Sequence, residues 1–214
     1  MQRYSRGILA LVLAGLILAL SVSAPGPATA ANASLEKQFA FRNAMRRLWE
    51  DHITWTRLYI ISVAADLADK DATAERLLRN QEDIGNAITP FYGKAAGEKL
   101  TALLREHILG AAALLAAAKA GDTAKVNDAS KQWYVNADQI AAFLSGANPN
   151  NWPPAEMKKM MREHLDLTLG EATARLKGDW AADIAAYDKI HAQILHMADM
   201  LSAGIIRQFP AKFR

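Results

Sequence analysis

The 214-residue chain has no cysteine. Disulfides, thiolate metal sites, cysteine nucleophiles and thiol redox chemistry are therefore excluded. Proline is scarce and confined. Beyond residue 30 there are Pro90, Pro149, Pro153, Pro154 and Pro210, each between apolar-periodic segments or in the tail. That is the distribution expected where helices fill the rest. Long apolar runs are also missing, apart from Gly7–Leu20. Arg3 and Arg6 precede that run and the small-residue triplet Ala28-Thr29-Ala30 follows it. The pattern is that of a secretory signal peptide over residues 1–30, too short in its apolar part for a comfortable bilayer span. An uncleaved N-terminal anchor is the alternative.

Excess charge of one sign is lacking as well. The signal segment carries two of the 25 basic residues and none of the 22 acidic ones, so residues 31–214 stand near neutrality. The case for nucleic acid disappears with that excess. What remains is long enough for one domain with a full core. The expectation is a periplasmic or secreted protein without stable membrane insertion once the signal is removed. No His-Glu-x-x-His, Gly-x-Ser-x-Gly or paired Glu-x-x-His occurs, and Gly93–Gly97 lacks the Gly-Lys-Ser/Thr ending of a phosphate loop. Enzyme readings are disfavoured accordingly.

What is present is a threefold repeat. Leu48-Trp49-Glu50-Asp51-His52, Leu103-Leu104-Arg105-Glu106-His107 and Met160-Met161-Arg162-Glu163-His164 share one pattern. A side-chain amide follows each histidine at similar distance: Asn80, Asn136 and Gln193. A period of about 56 residues denotes one supersecondary unit used three times. Leu48, His52, Trp55, Tyr59 and Val63 form one helical stripe, and comparable stripes recur throughout. The spacing predicts six helices, near 35–67, 72–88, 95–119, 123–145, 155–176 and 180–207. They pair as αα-hairpins over about 35–88, 95–145 and 155–207, in an all-α up-down bundle. Gly121-Asp122 and Gly178-Asp179 suit a helix C′ position followed by an N-cap, and Asp69–Asp71 marks the first turn.

The repeated histidines lie on apolar stripes, so each needs a hydrogen-bond partner or a ligated ion. Equal distances from the turns put His107 level with Asn136, and His164 level with Gln193. In the first hairpin the midpoint misses the expected turn, which brings in Asp83 or Asn86 as partner to His52. Two readings stay open. In one, the histidines only bond to buried amides and fix helix register, in a structural or partner-binding bundle. In the other, His52, His107 and His164 converge from three parallel helices. With Asp83 and Glu171 as oxygen donors they would bind a transition metal, Zn, Cu, Ni or Fe. The ligand would then be a metal ion or small molecule, and the protein non-enzymatic. The methionines occupy slots filled by leucine, tryptophan or isoleucine in the other repeats and read as core. His196 occupies a slot polar in all three repeats and remains a candidate; His191 reads as packing.

Trp49-Glu50-x-His52-x-x-Trp55-Thr56-Arg57, Arg76-Leu77-Leu78-x-Asn80-x-x-Asp83, Trp133-Tyr134-x-Asn136-Ala137-Asp138, His164-Leu165-x-Leu167-Thr168-x-x-Glu171 and Gln208-Phe209-Pro210 together resemble a family of small bacterial helical proteins. The similarity spans nearly all of the chain after the signal. That family has no established activity, and the labels glycosyltransferase and acetylglutamate kinase attached to some members imply an α/β scaffold that this sequence lacks. The resemblance directs interest to Trp49, His52, Asp83, His107, Asn136, His164 and Glu171. It implies no mechanism.

Overall fold

The computed structural model describes residues 27–214, with side chains from residue 31 onward. The signal-peptide reading of residues 1–30 lies, as far as residue 26, outside the described residues. Six helices follow in order: α1 (Pro27–Ala64), α2 (Lys70–Tyr92), α3 (Lys94–Lys119), α4 (Thr123–Ala147), α5 (Pro154–Leu176) and α6 (Trp180–Gln208). A 3-10 turn, Pro210–Phe213, tucks Phe213 back into the core. Among the described residues there is no strand. The all-α bundle of three hairpins is thus the observed architecture.

Two boundaries differ from the sequence expectation. α1 begins at Pro27 rather than near residue 35, so a cut after Ala30 would remove its first turn. α2 runs through Pro90 to Tyr92. A proline this close to a helix end forfeits one backbone bond. The extra turn places Phe91 against Phe41, Phe209 and Phe213, and Tyr92 against Trp152 and Phe209. Aromatic packing there outweighs one lost bond.

Each helix packs on its chain neighbours, and α1 closes the ring against α6. α1 also touches α3 and α5 across the middle. The odd-numbered helices therefore run parallel around a pseudo-threefold axis, each flanked by even-numbered helices. α3 is long and apolar enough, by length and composition alone, to cross a bilayer. Here Leu100, Leu103, Leu104, Leu114 and Leu115 are core residues.

The three turns are built alike. At Gly121, the residue's own N–H bonds Ala118 O and the next N–H bonds Ala117 O; at Gly178 the same pair reaches Arg175 O and Ala174 O. These are left-handed C-caps, with φ of +70° and +73°. The first hairpin has the same bonds, Asp66 N–H to Val63 O and Leu67 N–H to Ser62 O. Its left-handed residue, however, is Asp66, at φ 53°. The turn thus lies at Asp66, three residues before the acidic Asp69–Asp71 segment expected to hold it. Asp122 and Asp179 cap the following helices, accepting from Lys125 N and Ala182 N.

α2 and α3 approach closely through paired glycines. A Cβ on Gly85 would stand 2.6 Å from Gly97 O, and one on Gly97 would stand 2.7 Å from Gly85 O. Backbone cannot yield as a side chain does. Gly85→Ala and Gly97→Ala are each expected to destabilise by about 1–3 kcal/mol in urea titrations. Asp66→Gly should instead stabilise by about 1 kcal/mol, because a left-handed non-glycine residue is strained. Equal effects at the three positions would contradict this account.

Candidate functional site

His52, His107 and His164 are all buried, 3%, 3% and 4% exposed. They sit at one level on α1, α3 and α5, each 14 residues before the left-handed residue of its turn, Asp66, Gly121 or Gly178. His107 Nδ1 lies 3.0 Å from Asn136 Oδ1, and His164 Nδ1 lies 3.2 Å from Gln193 Oε1. An amide oxygen only accepts, so Nδ1 carries the proton in both rings and Nε2 is left as a lone pair. Each amide nitrogen then donates one turn back along the partner helix. Asn136 Nδ2 reaches Leu103 O at 3.1 Å, and Gln193 Nε2 reaches Met160 O at 3.1 Å.

The first hairpin divides this task between adjacent residues. Asn80 Nδ2 donates to Leu48 O at 3.0 Å, the equivalent carbonyl. Gln81 Nε2 lies 3.3 Å from His52 Nδ1, and its two hydrogens are shared among that nitrogen, Leu77 O at 2.8 Å and Asn80 Oδ1 at 3.2 Å. His52 is therefore served by Gln81, rather than by Asp83 or Asn86, which are both exposed. The histidine-to-partner distance is 29 residues in every repeat. With a nitrogen facing its Nδ1, His52 takes the other tautomer, with the proton on Nε2. Gln81 Oε1 and the nearby Trp49 Nε1 are buried without a partner.

The imidazoles approach one another. The His52 and His164 rings are 5.8 Å apart between centroids, while the His107 ring stacks on Trp133 at 5.2 Å. Trp133 Nε1 donates to His107 O at 3.0 Å. Burial drives all three histidines toward the neutral form: His107 falls to about 3 and His164 to about 4. His52 lies well below 6.5, lowered first by burial and then by His164 and His107. Neutral imidazole is the ligating form. Among the described residues, however, no three His, Cys, Asp or Glu side chains gather closely enough to hold a metal ion. Asp83 faces solvent on α2. His191 pairs at the surface with Glu50 at 2.9 Å, and His196 is exposed.

Glu171 is buried but committed elsewhere. Arg57 Nη1 lies 2.6 Å from its Oε1 and 2.9 Å from Asp183 Oδ1, with Arg57 Nη2 3.1 Å from Asp183 Oδ2. Arg175 adds a contact to Asp183 at 3.2 Å. The Tyr187 ring lies under Arg57 and the Trp180 ring under Arg175, each 4.7 Å from the guanidinium carbon. Two arginines and two carboxylates form a closed, charge-balanced cluster tying α1, α5 and α6. Burial lifts Glu171 to about 7, and Arg57 opposes that rise. Arg57 and Asp183 are the residues that sequence reasoning passed over. Their signal was a charged residue on the buried stripe of its helix.

A cavity of about 60 Å³ lies on the pseudo-threefold axis, on the turn side of the histidines. Thr56, Ala111 and Thr168, one helical turn beyond each histidine, begin its wall. Thr56 and Thr168 spend their hydroxyls on His52 O and His164 O, both at 2.8 Å. Leu77, Ile60, Leu114, Leu115 and Trp133 complete an apolar lining. Thr173 is exposed, and Tyr59, Ala118, Ala172 and Leu176 are half-buried, so the cavity opens toward the end of the bundle that carries the hairpin turns.

These groups set a definite pH response. Unfolded histidine titrates near 6.5, whereas folded His107 and His164 titrate at about 3 and about 4 and His52 is held well below 6.5, so unfolding takes up protons as pH falls and stability is lost. Glu171 acts in the opposite sense between 4.5 and 7, where the folded state holds the extra proton. At about 1.4 kcal/mol per pH unit per group, three histidines less one glutamate give a net loss of about 2–3 kcal/mol per unit from pH 6 to 5. Urea titrations across that range should show it. Glu171→Gln should steepen the slope by one group, and His107→Leu should flatten it by one. A stability independent of pH here would disprove the burial of the neutral rings.

Set against family models, curated proteins and solved structures, the chain matches none, so its function has to be read from the site itself.

Proposed function

We propose that the protein is an exported, non-enzymatic binding bundle that takes a small apolar molecule, or the end of an alkyl chain, in its axial cavity. The three histidines act as internal fasteners around that cavity. The observation that carries this reading is an apolar void, open at one end, on the axis of an otherwise filled core. Close packing is the norm in protein interiors, and an apolar cavity is a site for apolar guests rather than for water. At roughly 10–15 Å³ for each water-sized probe, the space suits a group of about half a dozen heavy atoms. The histidines support a fastening role because each directs its Nδ1 to a side-chain amide of its own hairpin. Among the described residues no nucleophile–base pair lines the cavity, and the strongly raised carboxyl of Glu171 is held by Arg57.

Filling the cavity tests the proposal. 1-Hexanol should raise the melting temperature of the parent saturably, by the mass-action stabilisation of any native-state ligand, about 1.4 kcal/mol at ten times its Kd. Ala172→Leu places a larger side chain in the space and should abolish that response while leaving the fold as stable or more so. An identical response in both proteins would place the alcohol elsewhere and reject the site. Metal analysis of protein purified from its own compartment separates the metal reading. The expected content is well below one ion per chain, unchanged in His52→Ala, His107→Ala and His164→Ala. His107→Ala and His164→Ala should still lose about 1–3 kcal/mol, because Asn136 Oδ1 and Gln193 Oε1 lose their partner.

A further inference from the structure

We propose that the end of the bundle carrying the first turns of α1 and the C-terminal tail docks on an anionic lipid bilayer. Leu35 and Phe39 are 63% and 67% exposed. They lie one helical turn apart on one face of α1, beside Ile206, where α6 nears its end. With Arg42 they line an open groove. Neither belongs to the core cluster, which starts on α1 at Phe41 and Met45, so their apolarity serves no packing among the described residues. Patches of this kind mark interaction surfaces.

Charge selects the partner. From Pro27 to Arg47, and from Asp199 to the end, there are seven basic residues against Glu36 and Asp199. Lys37, Arg42, Arg47, Arg207, Lys212 and Arg214 are exposed. The opposite end carries Asp66, Asp69, Asp71, Asp122 and Asp179 in its turns, offset by Lys70, Lys119, Lys125 and Lys177. The excess of basic residues beside Leu35 and Phe39 is thus local to that pole, while the turn end is close to balanced. Apolar side chains rimmed by lysine and arginine match an interface of acyl chains beneath anionic headgroups.

Because every core side chain among the described residues lies at or beyond Phe41, residues 27–214 carry that core and can be used without the apolar stretch. That protein should co-sediment with phosphatidylglycerol vesicles, should not co-sediment with phosphatidylcholine vesicles, and should be released by raised salt. The double variant Leu35→Ser, Phe39→Ser and the triple variant Lys37→Gln, Arg47→Gln, Lys212→Gln should each weaken partitioning by about tenfold or more. All five positions are exposed, so circular dichroism and the melting temperature should stay at parent values. Failure to bind phosphatidylglycerol, or binding unchanged in both variants, would overturn the proposal. Concentration-dependent dimerisation abolished by the double variant, without vesicle binding, would overturn it in favour of a second copy of the chain.

Discussion

The bundle depends on one small device, a carboxamide that joins two points of the neighbouring helix. Its nitrogen holds a backbone carbonyl and, in two hairpins, its oxygen holds the imidazole one turn on. The reach of an asparagine or glutamine side chain allows one register and no other. A slip of one residue would leave both an amide and an imidazole unpaired in an apolar interior, which costs several kcal/mol. With the hairpins set, the odd-numbered helices arrive with histidines at equal height, and the ring closes around them. The void beyond the histidines follows from the same geometry. Parallel helices that meet at the imidazole layer bring alanine, threonine and leucine to the axis beyond it, and those side chains do not fill it.

The device also explains why burial and neutrality go together. Each ring is buried in an apolar interior, so protonation would place a charge close to similar rings with little to stabilise it. The molecule's buried carboxylates are kept away from that layer. Glu171 and Asp183 face Arg57 and Arg175 toward α6, and the cluster balances its own charge. Imidazole layer and ion cluster are separate solutions to the same problem of polarity inside a core.

Much of this was legible in the chain. Helix periodicity and glycine at residues 121 and 178 announced two hairpins and the level of their histidine–amide pairs. The first hairpin was harder, for a specific reason. Its left-handed residue is Asp66 rather than glycine, so the turn carried no mark and the search for a partner to His52 moved to Asp83 and Asn86. Measured from Asp66, Gln81 falls into place. The Arg57–Asp183 pair spans 126 residues, and nothing local in either segment names the other. The cavity was less visible still, because a void is a property of summed side-chain volumes across five helices. Its trace was a set of small residues, Ala111, Ala118 and Ala172, on axis-facing stripes.

Ring closure has a topological consequence. With six antiparallel helices, the start of α1 and the end of α6 fall at the same pole, and α1 packs on α6 as any neighbours do. No helix is structurally first. The chain could be joined tail to head and reopened at Gly93, between hairpins, with every interhelical contact preserved. By the same symmetry a single hairpin contains one complete share of the interior, so three separate copies of it describe the same object. The repeat in the sequence is then the imprint of a cyclic trimer written along one continuous thread.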